Sequence, residues 1–159
     1  MSNAEVWEVV PDHERYAVST YGNFLLRDTS NAVAHSHRGQ GYRGVWLDRS
    51  KYAVHRVMTA AFIPNPDGLP CVDHINNQRD DNRLVNLRYA THTQNNMNRT
   101  CRPGHYKGVV RYGNRWRAQI YMAGRRIILG MFDTALEAAA AYNNAAETNF
   151  GEFARLNVL

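Results

Sequence analysis

The chain has 159 residues, 44% of them apolar, and 19 Lys and Arg against 14 Asp and Glu give a net charge of +5. This length and composition suit a folded protein of one ordinary domain or a few small modules and exclude a disordered chain. No apolar run approaches membrane-spanning length and the start lacks a secretion-signal pattern, so no membrane partner and an intracellular, cytoplasmic setting are expected.

Ser2-Asn3-Ala4 reads as a cloning remnant and is set aside. Cys71 and Cys101 stand far apart without a Cys-x-x-Cys pair, so neither a disulfide framework nor a structural zinc is expected. Charge is unevenly spread. Residues 1–50 carry five Arg and six acids, whereas Asn82 through Phe132 has no Asp or Glu and ten cations, nine of them arginine. Soluble surfaces normally mix both signs, so this stretch predicts a polyanion partner. The arginine fork suits bidentate contact with phosphate or guanine.

In chain order, the segment from about Val6 to about Leu47 reads as short strands and turns. Ala17 to Tyr21 is strand-like and breaks at Gly22-Asn23, and Gly39, Gly41 and Gly44 punctuate the way into Val45-Trp46-Leu47. Val54 to Phe62 predicts a short helix stopped by Pro64 and Pro66. Cys71-Val72-Asp73-His74 is a brief strand, followed by a polar Asn/Asp/Arg loop to Arg83 and a second strand at Leu87 to Ala90. Thr91 with Gln94 makes a capping box, which starts a helix through Asn95.

After Arg102-Pro103-Gly104, three strands are predicted at Lys107–Tyr112, Arg115–Tyr121 and Arg125–Gly130, joined by turns at Gly113-Asn114 and Ala123-Gly124. The second alternates polar and apolar residues with period two, as a half-exposed strand does. Thr134 and Glu137 form another capping box, opening an alanine-rich helix from Leu136 to Glu147 whose Ala138, Ala141 and Ala145 allow close docking on the sheet.

Asp73, His74, Asn86 and Asn95 form the chemical constellation. Phosphodiester cleavage needs a general base for water and a means of stabilising the departing oxyanion. Histidine serves the first role near neutral pH. A hard divalent cation held by Asp and Asn oxygens serves the second. A strand–loop–strand–helix hairpin can bring Asp73, His74 and Asn95 together. His55 reads as structural, at the start of a buried helix.

These residues resemble a known family. Val72-Asp73-His74-Ile75-Asn76-Asn77, then Asp81 to Arg88, then Gln94-Asn95, with the lead-in Val54-His55-Arg56 and Ala61 to Pro66, is similar to the HNH homing endonucleases of bacteriophages. The resemblance implies a ββα-metal fold at 51–101 with His74 as general base, Asp73 and Asn95 as metal ligands, and Asn86 bracing the hairpin and orienting His74. Asn95 stands where the family often carries His; its oxygen favours Mg²⁺ or Mn²⁺ over zinc.

Glu5 to Pro11 with Tyr16-x-Val18-Ser19-x-Tyr21-Gly22 resembles the nuclease-associated modular domain, placed at 5–50 and read as a positioning element. Tyr106 to Val109, Trp116 to Ile120, Leu129 to Thr134, the helix residues Glu137 to Ala146 and the ending Gly151 to Asn157 resemble the APETALA/ethylene-response-factor DNA-binding domain, placed at 105–159. That resemblance implies a sheet laid in the major groove of duplex DNA. By position and period, Lys107, Arg111, Arg115, Arg117, Gln119, Tyr121 and Arg126 are the expected DNA-facing set, with Trp116 and Ile120 packing on the helix. The expected fold is α+β and modular: a small β-rich module, a ββα-metal core, and a three-stranded antiparallel sheet packed on one helix. The expected activity is metal-dependent hydrolysis of double-stranded DNA, a phage homing or nicking nuclease; the alternative is a DNA-binding regulator with a non-cutting scaffold. One chain carries one active centre, so a monomer is expected to nick a single strand.

Overall fold

The structure, a computed structural model, describes residues 4–159; Ser2 and Asn3 of the stretch set aside lie outside them. It divides into two compact units, one ending at His92 and one spanning Thr93–Leu159.

In the first unit β1 (Trp7–Val9), β2 (Tyr16–Ser19), β3 (Phe24–Leu26) and β4 (Ala32–Val33) form an antiparallel sheet in that order. The β2–β3 turn is where Gly22-Asn23 predicts it, with Gly22 at a φ of +80° that a side chain tolerates poorly. A second antiparallel sheet holds β5 (His35–His37), β6 (Arg43–Leu47) and β7 (Ser50–Ala53), with β6 central. β7 runs straight into α1 (Val54–Phe62). β8 (Cys71–His74) and β9 (Leu87–Ala90) pair as an antiparallel ribbon across a long loop that ends in a 3-10 turn at Leu84–Asn86.

Val18, Phe24, Leu47, Val54, Met58 and Leu87 belong to one core. They come from both sides of residue 50, so residues of the first two expected modules pack into one shared core. The physical reason is size: sheets of two to four short strands cannot bury their own apolar faces, and each uses α1 and the other sheets as its cover.

α2 (His92–Met97) straddles the division between the units. The second unit continues with β10 (Val109–Tyr112), β11 (Arg115–Met122) and β12 (Arg125–Phe132), an antiparallel sheet in that order, and α3 (Ala135–Phe150). Thr134 caps α3 and Glu137 completes the box, as the sequence predicts. Ala138, Ala139, Tyr142 and Ala146 are the buried residues of α3, and Ile120 of β11 packs with Tyr142 and Ala146.

β10 begins two residues later than predicted because Gly108 is needed for another purpose. It sits at φ +75°, and a Cβ there would lie 2.0 Å from the Tyr142 ring. Asn157 then clips the chain end to this point: Lys107 N–H donates to its Oδ1 (2.7 Å) and its Nδ2 donates to the Lys107 carbonyl (3.1 Å). Among the described residues no helix is long and apolar enough to cross a membrane.

Candidate active site

The β8–β9 register sets Asp73 directly across from Arg88 and His74 across from Leu87. Facing residues in a ladder lie close enough for their side chains to pair. Here Arg88 donates from Nη2 and Nε to Asp73 Oδ2 at 2.9 and 3.0 Å; Asp73 is buried and Arg88 is half-buried. Asp73 is thus a buried carboxylate with a counter-charge in place.

The loop between the two strands is tied by amides. Asn86 Oδ1 accepts from Asn76 N–H (2.9 Å), while Asn86 Nδ2 donates to Asn76 Oδ1 (3.0 Å) and to the Asp81 carbonyl (2.8 Å). Asp81 in turn accepts from Asn76 Nδ2 at 2.8 Å and from Arg83 at 2.7 and 2.8 Å, and the Arg83 hydrogen bonds hold its carboxyl down to about 2. Asn86 therefore braces the loop. The side chain that meets the His74 ring is a different one, Asn82, whose Oδ1 lies 3.2 Å from His74 Nε2.

His74 is buried, and its ring lies edge-on to His55 (5.1 Å between centroids) and near Tyr42 (6.0 Å). Burial lowers the pKa of His74, opposed by the Asn82 hydrogen bond and the Asp73 and Asp81 carboxylates. A histidine held neutral at physiological pH is one that can accept a proton. His55, expected to be merely structural, touches the same cluster, and burial pushes its pKa down to about 3. The Arg79 guanidinium covers the Tyr42 ring at 5.0 Å and donates to the Gln40 carbonyl at 3.0 Å. Beside it a cleft of about 600 Å³ is lined by His35, His37, Arg43, Asn77 and Arg79.

Tyr42, Asn82 and the closeness of His55 to His74 are what sequence reasoning missed. Asn82 carried no usable signal, since its burial, which obliges its amide to find partners, is known only from the structure. Asn95 is half-buried on α2, in the Thr93–Leu159 unit.

Residues 52–97 match the family model described as HNH endonuclease. That stretch is an HNH endonuclease domain. Uncharacterized HNH endonuclease L247 of Acanthamoeba polyphaga mimivirus is 34% identical over 101 residues, covering 58% of this chain and 25% of that protein. Uncharacterized HNH endonuclease L560 of the same virus is 34% identical over 116 residues, covering 71% of this chain and 61% of that protein. The chain thus spans less than two thirds of either viral relative. Dehydration-responsive element-binding protein 2A of Oryza sativa is 49% identical over 55 residues, 33% of this chain and 20% of that protein. The HNH domain contains Asp73, His74, Asn82, Asn86 and Asn95.

In the second unit, Ala118 and Ile120 of β11 are buried, so Arg115, Arg117, Gln119 and Tyr121 lie on the opposite, open face. Their partners across the ladders are Tyr112, Val110, Ile128 and Arg126 respectively. Arg126 joins the expected set there. Arg111 does not: it pairs with Trp116, whose parity is that of the helix-facing residues. Lys107 does not either. It precedes β10, its Nζ donates to the Met97 carbonyl, and burial lowers its pKa to about 8. A count of period from Lys107 fails because the strand begins only at Val109, after the positive φ of Gly108. Tyr112, Tyr121 and Ile128 are exposed on the open face, with the Arg117 guanidinium 5.3 Å from the Tyr112 ring centre.

Proposed function

We propose that this chain is a metal-dependent DNA endonuclease in which His74 is the general base. The observation that carries this reading is the placement of His74 within the HNH domain: buried, kept neutral, and next in the chain to the buried carboxylate of Asp73. His74 takes a proton from water as it attacks phosphorus in line with the 3′ oxygen, and a 5′-phosphate end results. Asn86 keeps the loop after His74 in one conformation, and Arg79 and Arg43 at the neighbouring cleft meet backbone phosphates.

The donor chemistry fits a hard cation, since Asp73 offers an anionic oxygen and Asn95 an amide oxygen. Held at Asp73, Mg²⁺ or Mn²⁺ would stabilise negative charge on the leaving oxygen. The open face of β10–β12 holds duplex DNA through Arg115, Arg117, Gln119, Tyr121 and Arg126; the identity with the rice response-element-binding protein supports this. Homing or nicking is the role we associate with this pairing of a cutting and a holding unit.

One observation favours a second reading. Arg88 already occupies Asp73 Oδ2, as it would in a DNA-binding regulator whose HNH scaffold does not cut. Conversion of supercoiled plasmid with Mg²⁺, Mn²⁺ or EDTA, using the parent and His74→Ala, separates the two. Relaxed or linear DNA that requires both metal and His74 supports the nuclease. Selection of bound targets from a random library, followed by no cutting of those targets, supports the regulator.

A further inference from the structure

An imidazole can accept a proton only at the nitrogen that lacks one, so the hydrogen bonds around His74 decide which atom is the base. Asn82 settles the matter through acceptor logic. Its Nδ2 lies 3.1 Å from the Asp80 carbonyl oxygen, which can only accept, so the amide nitrogen must face Asp80. The amide oxygen therefore faces His74, 3.2 Å from Nε2, and it too can only accept. Nε2 must carry the hydrogen. In neutral His74 the ring lone pair is then on Nδ1.

The stretch of loop that carries Asn82 is held from the outside. Leu84 N–H, two residues on, donates to the Thr20 carbonyl at 2.8 Å. A Cβ on Gly22 would come within 3.4 Å of both Asn82 Cβ and the Asn82 carbonyl oxygen, so the β2–β3 turn lies directly against Asn82. Asn82 itself is only 5% exposed. A buried side chain whose amide nitrogen faces a carbonyl and whose amide oxygen faces a ring nitrogen has one orientation.

We propose that Asn82 is a positioning residue: by accepting from Nε2–H it fixes the His74 tautomer and presents Nδ1 as the proton acceptor. This rests on the reading of His74 as the base. Asn82 acts through the ring, which it contacts at Nε2. The β2–β3 turn gains a role by the same argument, because it backs the loop that carries Asn82.

The test is ¹⁵N–¹H correlation spectroscopy of the whole protein labelled at histidine, above the usual histidine pKa of about 6.5, with His74 assigned from His74→Gln. The parent is expected to show Nε2–H and bare Nδ1. Asn82→Asp, which keeps an acceptor oxygen, is expected to retain that state, and Asn82→Ala to lose it. In plasmid nicking, Asn82→Ala is expected to lower kcat about 100-fold with KM for DNA unchanged. A parent protonated at Nδ1 overturns the proposal, and so does an Asn82→Ala protein that keeps Nε2–H. If Asn82→Ala does not fold, the parent and Asn82→Asp spectra still decide. The expected spectra with no cutting by the parent support the proton placement and overturn the nuclease reading, so the two failures are distinguishable.

Discussion

Asp73 and Arg88 face each other across the β8–β9 ribbon, with two donor atoms of one guanidinium on a single carboxylate oxygen at 2.9 and 3.0 Å. Removing one partner of a buried pair strands the other charge. Arg88→Met is expected to cost about 3 kcal/mol in urea unfolding with EDTA present. If Asp73 is a metal ligand, saturating Mg²⁺ recovers part of that loss and stabilises the variant more than the parent. Equal shifts in both proteins would count against Asp73 as a ligand.

His55 makes acid stability a second probe of the site. Its pKa in the fold is about 3, lowered by burial first and then by His74, Arg56 and Arg38, against about 6.5 in an unfolded chain. Between these values the unfolded chain binds a proton that the folded chain refuses, so stability falls as pH falls through this window. His55→Phe removes that proton and is expected to flatten the fall in the urea midpoint between about pH 6.5 and about pH 4. The His74 shift has the same direction, so some slope remains.

The two faces of the second-unit sheet predict different binding losses. Arg117→Ala and Arg126→Ala are expected to weaken duplex DNA binding and to reduce the slope of log affinity against log salt by about 0.9 for each phosphate that is no longer neutralised. Arg111→Ala, on the other parity, is expected to change that slope little. Fluorescence anisotropy across a salt series measures this, and a larger effect at Arg111 would move the interface to the helix side.

Gly108→Ala sets a Cβ against the Tyr142 ring at a positive φ. Overpacking and backbone strain add, and a loss of about 3 kcal/mol is expected for the second unit by thermal or urea unfolding. An unchanged melting transition would mean that Tyr142 can leave its place on the sheet.

Local chemistry made much of this legible in advance. Val54 to Phe62 forms α1 to the residue, the strands at 71–74 and 87–90 stand as read, and Thr134 with Glu137 starts α3. Each depends on neighbours within one turn or on period-two alternation. The alternation of β11 also carried through, because its buried Ala118 and Ile120 fix which residues face away. Where alternation was extended past a strand end it failed, as at Lys107, and where two strands had to be put in register it failed at Arg111.

The sequence by itself therefore determined the HNH pattern around Asp73 and His74, the extent of α1, β8 and β9, and the arginine-rich, acid-free stretch, since composition and short-range spacing suffice for each. Only the tertiary structure decided that the segments before and after residue 50 share one core, that Arg88 sits on Asp73, that His55 and Tyr42 crowd His74, and that Asn82 rather than Asn86 meets the His74 ring. These pairings join residues distant in the chain or across a loop. Strand register and burial bring them about, and neither is written in any local window.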